Sequence, residues 1–179
     1  MPDFRASDVI PGVTHVGLDL HPDERGFFME TFRAGWFPGS EFVQGNLSSS
    51  QQGVLRGLHY HLRQEDFWII PHGSAWVALV DLRRHSSAYL KSETFELEGS
   101  QGVHIPIGVA HGFYAVTDLL MSYLVTGYYD GTDELSVAWD DPEVGISWPA
   151  EEPILSGRDS TNPRWADVPR HLRPGGDRP

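Results

Sequence analysis

Residues 54–61 read Val-Leu-Arg-Gly-Leu-His-Tyr-His, and the polar turn segment Ser-Ser-Gln-Gln-Gly precedes them. Apolar and aromatic residues alternate here with polar or small ones, a pattern typical of a β-strand with one buried face. Because alternate side chains of a strand share a face, Gly57, His59 and His61 are expected on the same side. The stretch therefore predicts a strand that carries two imidazoles into the interior of a β structure.

The rest of the chain repeats this type of short, β-rich segment. Gly- and Pro-containing turns separate the segments, and no amphipathic helix of 12 or more residues stands out. Many short strands with regular turns predict an all-β sandwich or barrel. The other strands are expected at Val13–Leu20, Phe27–Arg33, Glu41–Leu47, Phe67–Ile70, Ser74–Leu82, Ser92–Leu97, Val103–Ile105, Gly112–Val116 and Leu119–Tyr129. From Asp140 onward proline is frequent, which predicts a C-terminal segment wrapping over the barrel as short helical turns, with a frayed tail at 170–179.

Composition narrows the classes of function. A chain of 179 residues is expected to form one domain over 1–179. The absence of cysteine excludes disulfides, thiolate zinc sites and a cysteine nucleophile. The net charge of -12 argues against a nucleic-acid partner. No apolar run is long enough to span a membrane and no secretory signal is evident, so a cytoplasmic protein with no membrane partner is expected.

Strand parity predicts where the chemistry lies. His59, Asp81 and Tyr123 are expected to line one cavity, with Arg25 near its mouth. An imidazole is a good general base because its pKa lies near working pH. A phenol on the opposite face can act as the acid, and Asp159 can orient the imidazole.

The histidines also form a metal-ligand pattern. Their spacing with flanking glycines resembles the first metal-binding motif of the cupins, and Pro106-x-Gly108-x-x-His111 resembles the core of the second. Imidazoles and a carboxylate suit Fe, Mn, Ni, Zn or Cu. The match is partial, since Ala115 stands where an asparagine is expected. The candidate ligands are His59, His61, Asp66 and His111; Glu65 could also supply the carboxylate, but the spacing to Gly73 favours Asp66.

Seven blocks resemble, in order and approximate spacing, the dTDP-4-dehydrorhamnose 3,5-epimerases, the nucleotide-sugar branch of the cupin superfamily. The resemblance covers about residues 8–165. The blocks are DERGFFMETF (23–32), FVQGNLSSSQQGVLRGLHY (42–60), VDLRRHS (80–86), PIGVAHGFYAV (106–116), YLVTGYY (123–129), AWDDPEVGISWP (138–149) and LSGRDS (155–160).

This resemblance implies a cupin-type jelly-roll barrel, a homodimer with exchanged strands, a dTDP-4-keto-6-deoxyhexose substrate and no cofactor. A base removes a proton next to the C4 ketone, and reprotonation from the other face inverts C3 alone or both C3 and C5. By position, His59 matches the family's base, Asp159 the residue that orients it and Tyr123 the acid. The positions that match substrate-binding residues are Arg25, Phe27, Glu30, Gln44, Asn46, Arg56, His111 and Trp139.

The chain departs from the family pattern at several positions. Asp66 stands where the family has a lysine that is thought to stabilise the enolate, and a carboxylate there would repel the developing charge. Arg63 could replace that lysine or pair with Asp66. His61 replaces a glutamine, and the remaining departures are Gly45, Leu47 and Leu124.

Three hypotheses of function follow from these patterns. The first is a sugar-nucleotide epimerase, and the second is a metal-dependent cupin isomerase or oxygenase that holds one divalent ion. The third is a non-catalytic binding module. A base–acid pair at His59 and Tyr123 argues against the third, because binding alone needs no such pair.

Overall fold

A computed structural model describes residues 1–129 and 131–175 of the chain. The regular secondary structure of these residues consists almost entirely of short strands. The strands are β1 (Asp3–Ala6), β2 (Thr14–Gly17), β3 (Leu20–Asp23), β4 (Gly26–Met29), β5 (Gln44–Ser50), β6 (Leu55–Tyr60), β7 (Asp66–His72), β8 (Ser74–Asp81), β9 (Ser92–Glu98), β10 (Gln101–Ile105), β11 (Val109–Ala115), β12 (Leu119–Val125) and β13 (Leu135–Ser136). Short 3-10 turns lie at Ala34–Trp36, Asp159–Thr161, Trp165–Asp167 and Arg170–Leu172.

Two antiparallel sheets pack face to face. The larger sheet has the strand order β1-β2-β10-β7-β12-β5, and the smaller sheet has the order β13-β6-β11-β8-β9. Ile70 and Val103 of the larger sheet and Val77 and Leu79 of the smaller sheet belong to one buried cluster between them. The architecture is an all-β jelly roll, which confirms the fold class expected from the sequence.

Strand β7 shows how sequence sets the two faces of the larger sheet. Trp68 and Ile70 point into the core between the sheets, whereas Phe67 and Ile69 belong to a second cluster on the outer face. Phe37, from the segment before β5, packs on that outer face. Because both faces are covered, β7 is a continuous apolar run instead of a strict alternation.

The C-terminal segment covers the outer face of the smaller sheet, as predicted. Trp165 is 1% exposed and packs edge-on against Tyr60, with ring centroids 6.1 Å apart. The tail is less frayed than the sequence suggested: the Tyr60 hydroxyl donates to the carbonyl of Leu172, and Arg173 donates to the carbonyl of Trp165. The prediction was therefore wrong as far as Gly175, and residues 176–179 lie outside the described part of the chain.

The observed strand bounds differ from the predicted ones in several regions; β5, for example, covers Gln44–Ser50 and not Glu41–Leu47. The segment expected at Phe27–Arg33 is the second half of a separate β3–β4 hairpin that ends at Met29. Strand β12 ends at Val125, not at Tyr129. Strands β1 and β13 had no signal, since β1 is exposed along its length and β13 has two residues.

Among the described residues, no helix has the length and apolarity that crossing a membrane requires.

Candidate active site

Two glycines bring strands β6 and β11 into close contact beside the site. A Cβ atom built at Gly57 would lie 2.7 Å from the Cα of Gly112, so no larger residue fits without a shift of the backbone. His59 pairs with His111 and Arg56 pairs with Phe113, so three steps along β6 oppose two along β11. This bulge puts Arg56 and His59 on the same cavity, although strict alternation would place them on opposite faces.

A cavity of about 200 Å³ opens between the two sheets at this point. Small-molecule sites usually span about 300–1,000 Å³, so this space suits one ring, and the rest of a larger ligand would lie outside it. The lining residues are Ser48, Arg56, His59, His61, Gln64, Asp66, Trp68, His111, Phe113, Met121, Tyr123 and Glu134.

His59 and Asp159 form a hydrogen-bonded pair in the smaller sheet's wall of the cavity. The Nε2 atom of His59 lies 2.7 Å from Oδ1 of Asp159, and the Ser156 hydroxyl donates to Oδ2. Burial raises the pKa of Asp159, but the hydrogen bonds from His59 and Ser156 outweigh burial and hold the pKa below its usual value. The ionised carboxylate thus keeps the proton of a neutral His59 on Nε2 and leaves Nδ1 as the basic nitrogen.

Tyr123 lies on the opposite wall. It belongs to β12 of the larger sheet, where it pairs with Trp68 and Asn46, and its side chain lines the same cavity as His59. Burial raises the pKa of Tyr123, and the negative charges of Asp66 and Glu134 raise it further. The phenol is therefore protonated at neutral pH and can donate a proton.

A second group of titratable side chains lies deeper in the cavity. His61, Asp66 and His111 are each no more than 5% exposed, and one ligand atom of each lies within 4.8 Å of the others. Burial lowers the pKa of His111 to about 4, so this imidazole is neutral at neutral pH. His59 is not part of this group, since its Nε2 is held by Asp159.

The predicted substrate-binding residues fall into two sets. Arg56 lines the cavity and donates to Ser50 Oγ and the Ser49 carbonyl. His111 also lines it. Gln44 and Asn46 are hydrogen-bonded to each other, at 2.9 Å, on the half-buried face of β5 that Ser48 shares. Trp139 follows β13, and its carbonyl accepts a hydrogen bond from the Trp148 indole. Of this first set, Arg56 and His111 belong to the cavity lining, and Gln44, Asn46 and Trp139 do not.

The second set lies on the β3–β4 hairpin or just after it, away from the cavity. Arg25 and Phe27 are on the exposed β3–β4 hairpin, where Arg25 bonds to Asp23 and Phe27 is 61% exposed. Glu30 follows the hairpin and pairs with Arg33 at 2.8 Å. The structure of one chain therefore does not bring these three residues to His59, and Arg25 is not at the mouth of the cavity.

Two further expectations were wrong. Asp81 is fully buried but does not line the cavity, because its carboxylate is held by Arg83 and Ser86 just beyond the end of β8. Arg63 does not replace the lysine, since its guanidinium is turned toward Thr132. Asp66 instead accepts hydrogen bonds from Gln64 and Trp68.

Some of the departures from the family pattern lie outside the cavity, and others lie in its lining. Leu47 is 67% exposed, and Gly45 faces Leu124 across the β5–β12 pair on the outer face of the larger sheet. Asp66 and His61, by contrast, line the cavity. Of these changes, only the latter two alter the cavity lining. Gln64, Trp68 and Glu134 also line the cavity, and no motif in the sequence marked them as site residues.

Together, an imidazole held by a carboxylate on one sheet and a protonated phenol on the other define a jelly-roll protein of the cupin type whose cavity can exchange protons with a bound ligand. The family model for dTDP-4-dehydrorhamnose 3,5-epimerase matches residues 7–167. The chain therefore belongs to the dTDP-4-dehydrorhamnose 3,5-epimerase family.

Individual relatives agree with this assignment. The chain is 37% identical over 169 residues to the dTDP-4-dehydrorhamnose 3,5-epimerase of Neisseria gonorrhoeae, covering 89% of this chain and 52% of that protein. It thus spans about half the length of this relative. The Methanothermobacter thermautotrophicus enzyme of the same name is 35% identical over 89% of this chain and 93% of its own. The crystal structure of the Legionella pneumophila 3,5-epimerase, in complex with dTDP-4-keto-L-rhamnose, superposes with a TM-score of 0.92 and 31% identity over 99% of this chain and 100% of that one.

Proposed function

We propose that this protein epimerises a dTDP-4-keto-6-deoxyhexose by removing and returning a proton next to the C4 ketone. The observation that carries the proposal is the placement of His59 and Tyr123 on opposite walls of one cavity. Inversion of a carbon centre needs a base on one face and an acid on the other. The related Legionella pneumophila enzyme, whose structure contains dTDP-4-keto-L-rhamnose, supports the substrate class.

The proton transfers balance with the chain's own residues. Nδ1 of His59 takes the proton from the carbon next to the ketone, and the C–H electron pair moves into the ring to give an enolate on O4. When the enolate collapses, the same carbon takes the proton of the Tyr123 hydroxyl on the opposite face. Imidazolium and phenolate remain, and solvent exchange restores both groups for the next turnover.

Asp159 supports the first of these steps. Its carboxylate lies 2.7 Å from Nε2 of His59, so Nδ1 is left to take the proton. It therefore stabilises the imidazolium that forms when His59 accepts a proton. These proton transfers need no organic cofactor, and we propose that none is used.

We also propose that the protein works as a cytoplasmic homodimer whose β3–β4 hairpin completes the partner's site. In support, Phe27 and Phe28 of the hairpin are 61% and 69% exposed, which is costly for a monomer in water. The cavity holds only one ring, so groups that bind a nucleotide must come from outside its lining. Arg25 and Glu30 are available for this role in a second copy.

Wild-type protein mixed with dTDP-4-keto-6-deoxyglucose in D₂O tests the proposed activity. We expect deuterium to enter C3, or both C3 and C5, together with a change of configuration visible in the proton NMR spectrum. The positions labelled distinguish a C3 epimerase from a 3,5-epimerase. If no ring position next to the ketone takes up deuterium, the proposed activity is wrong.

Subunit complementation tests the dimer. In the proposed arrangement, His59→Asn and Arg25→Ala each inactivate every site of their own homodimer. A mixed dimer has one site with neither change. Random reassociation of equal amounts should therefore restore about a quarter of the wild-type rate, since half of the dimers are mixed and each has one intact site.

Recovery to that level would support shared sites. If the mixture stays as inactive as its components although mixed dimers form, Arg25 acts in its own chain and the shared site is excluded. As a matched control, Arg84→Ala changes an exposed arginine outside the cavity, and we expect it to keep full activity.

A further inference from the structure

The geometry points to a divalent metal site formed by His61, Asp66 and His111, distinct from the His59–Asp159 pair. The three side chains come from both sheets: His61 follows β6, His111 lies on β11 of the smaller sheet, and Asp66 begins β7 of the larger sheet. Each is buried, and the Nε2 atom of His61 lies 3.8 Å from Oδ1 of Asp66. Two imidazoles and one carboxylate on one centre are a ligand set for Fe²⁺, Mn²⁺, Co²⁺, Ni²⁺ or Zn²⁺.

Both imidazoles are already fixed in the tautomer that metal binding needs. The Nδ1 atom of His61 lies 2.6 Å from the carbonyl of Asp133, and Nδ1 of His111 lies 3.1 Å from the carbonyl of Val109. A carbonyl only accepts, so each Nδ1 carries the hydrogen and each Nε2 keeps its lone pair. Metal-binding histidines usually have such a partner on the other nitrogen, which sets the orientation of the ring.

The carboxylate is fixed in a similar way. The indole nitrogen of Trp68 donates to Oδ2 of Asp66 at 3.0 Å, leaving Oδ1 toward His61. The amide nitrogen of Gln64 lies 2.9 Å from that Oδ1 and 3.2 Å from Nε2 of His61. The Gln64 amide therefore contacts the lone pairs of both His61 and Asp66. A cation would bind the same two lone pairs once the Gln64 side chain moves aside.

A cation at this site would also stabilise the negative charge that develops on the enolate in the proposed reaction. The cavity lining contains the carboxylates of Asp66 and Glu134 and one arginine, Arg56. An enolate formed in this lining lacks the lysine that the family resemblance leads one to expect, because Asp66 occupies that position. A divalent ion on the cluster would supply positive charge beside the ketone oxygen and act as the Lewis acid.

The role of the ion rests on the proposed function, whereas its binding does not. Because His59 is held by Asp159 and is not in the cluster, the base stays unliganded and both sites operate together. This removes the conflict inherent in the ligand set expected from the sequence, in which His59 was both base and ligand.

Binding is tested with Co²⁺, whose visible absorption reports nitrogen and oxygen ligands. Protein dialysed against EDTA should bind one equivalent per chain. Loss of an outer-shell partner costs about 10–100-fold in metal affinity, so His61→Ala and Asp66→Asn should cost at least that. His72→Ala, which removes an exposed histidine at the end of β7, should bind as the wild type does.

A gain-of-affinity variant guards against the case in which these substitutions only unfold the protein. Gln64→Glu replaces the bridging amide with a second carboxylate, so we expect about 10-fold tighter Co²⁺ binding. It should also melt at a lower temperature than wild type in EDTA and regain stability with Co²⁺, because two neighbouring carboxylates repel unless a cation lies between them.

Measurements of deuterium uptake and of Co²⁺ binding distinguish the metal site from the proposed epimerase activity. Removal of the ion should lower the rate of deuterium uptake by about 100-fold, the scale of losing one oxyanion-stabilising group, and Co²⁺ should restore it. Stoichiometric binding without any deuterium uptake would leave the metal site standing and refute the epimerase. Full uptake in EDTA with no bound Co²⁺, or binding that survives His61→Ala and Asp66→Asn unchanged, would refute the metal site and leave the epimerase standing.

Discussion

Replacement of His59 by asparagine is expected to lower the rate of deuterium uptake by about 10²–10⁴-fold, the usual contribution of a general base. Asparagine does not reach the position of Nε2, so Asp159 loses this hydrogen bond, but its carboxylate keeps the one from the Ser156 hydroxyl and is not left buried without a partner. What is lost is the basic nitrogen that faces the cavity. The measurement is solvent deuterium incorporation into dTDP-4-keto-6-deoxyglucose, followed by NMR at saturating substrate.

His72→Asn is the matched control, because this histidine is exposed at the end of β7 and does not line the cavity. It should retain the wild-type rate. Retention of substantial deuterium uptake by His59→Asn would mean that another group is the base.

The composition of this cavity was largely predictable where it depends on strand parity. His59, near the end of β6, and His61, just after it, lie on the same side because they are two residues apart, and Tyr123 and Met121 share a face of β12 for the same reason. Each of these residues lines the cavity because the two inner faces meet in a jelly roll. Local alternation and the topology of the fold therefore suffice for them.

The alternation of side chains along a strand did not predict the cavity lining correctly where a strand bulges or ends. Arg56 joins His59 on the cavity because of the bulge opposite Gly112, which alternation alone does not reveal. Asp81 has the right parity on β8, but it is the last residue of that strand, and the chain that follows brings Arg83 and Ser86 back to its carboxylate. A side chain at a strand end is thus positioned by the loop that follows as much as by the sheet.

The spacing of the histidines did not show which side chains pair with one another inside the cavity. The spacing of His59, His61, Asp66 and His111 suggested one four-ligand centre, and the structure divides it. The division depends on Asp159, which is 100 residues from His59 in sequence and reaches it through the C-terminal segment. The family resemblance had already placed Asp159 beside His59, whereas the local spacing of the histidines carries no information about this contact.

The hydroxyl of Tyr123 is the second group whose removal should have a large effect, and its signature differs from that of His59. Tyr123→Phe keeps the ring that packs against the core cluster but removes the acid. His59 can still take a proton and return a solvent-derived one to the same face. We therefore expect epimerisation to slow by about 10²-fold or more, while deuterium uptake with retained configuration falls far less.

The ratio of uptake to inversion is the quantity that decides this role. In wild-type protein a base acts on one face of the sugar carbon and an acid on the other, so the rates of deuterium uptake and of inversion should be similar. In Tyr123→Phe, deuterium uptake should greatly exceed inversion. Tyr128→Phe is the matched control, since Tyr128 is 74% exposed and should leave the ratio unchanged. A proportional fall in both rates would instead show that Tyr123 shapes the cavity without donating the proton, because a group acting only on the second half of the reaction cannot slow the first half equally.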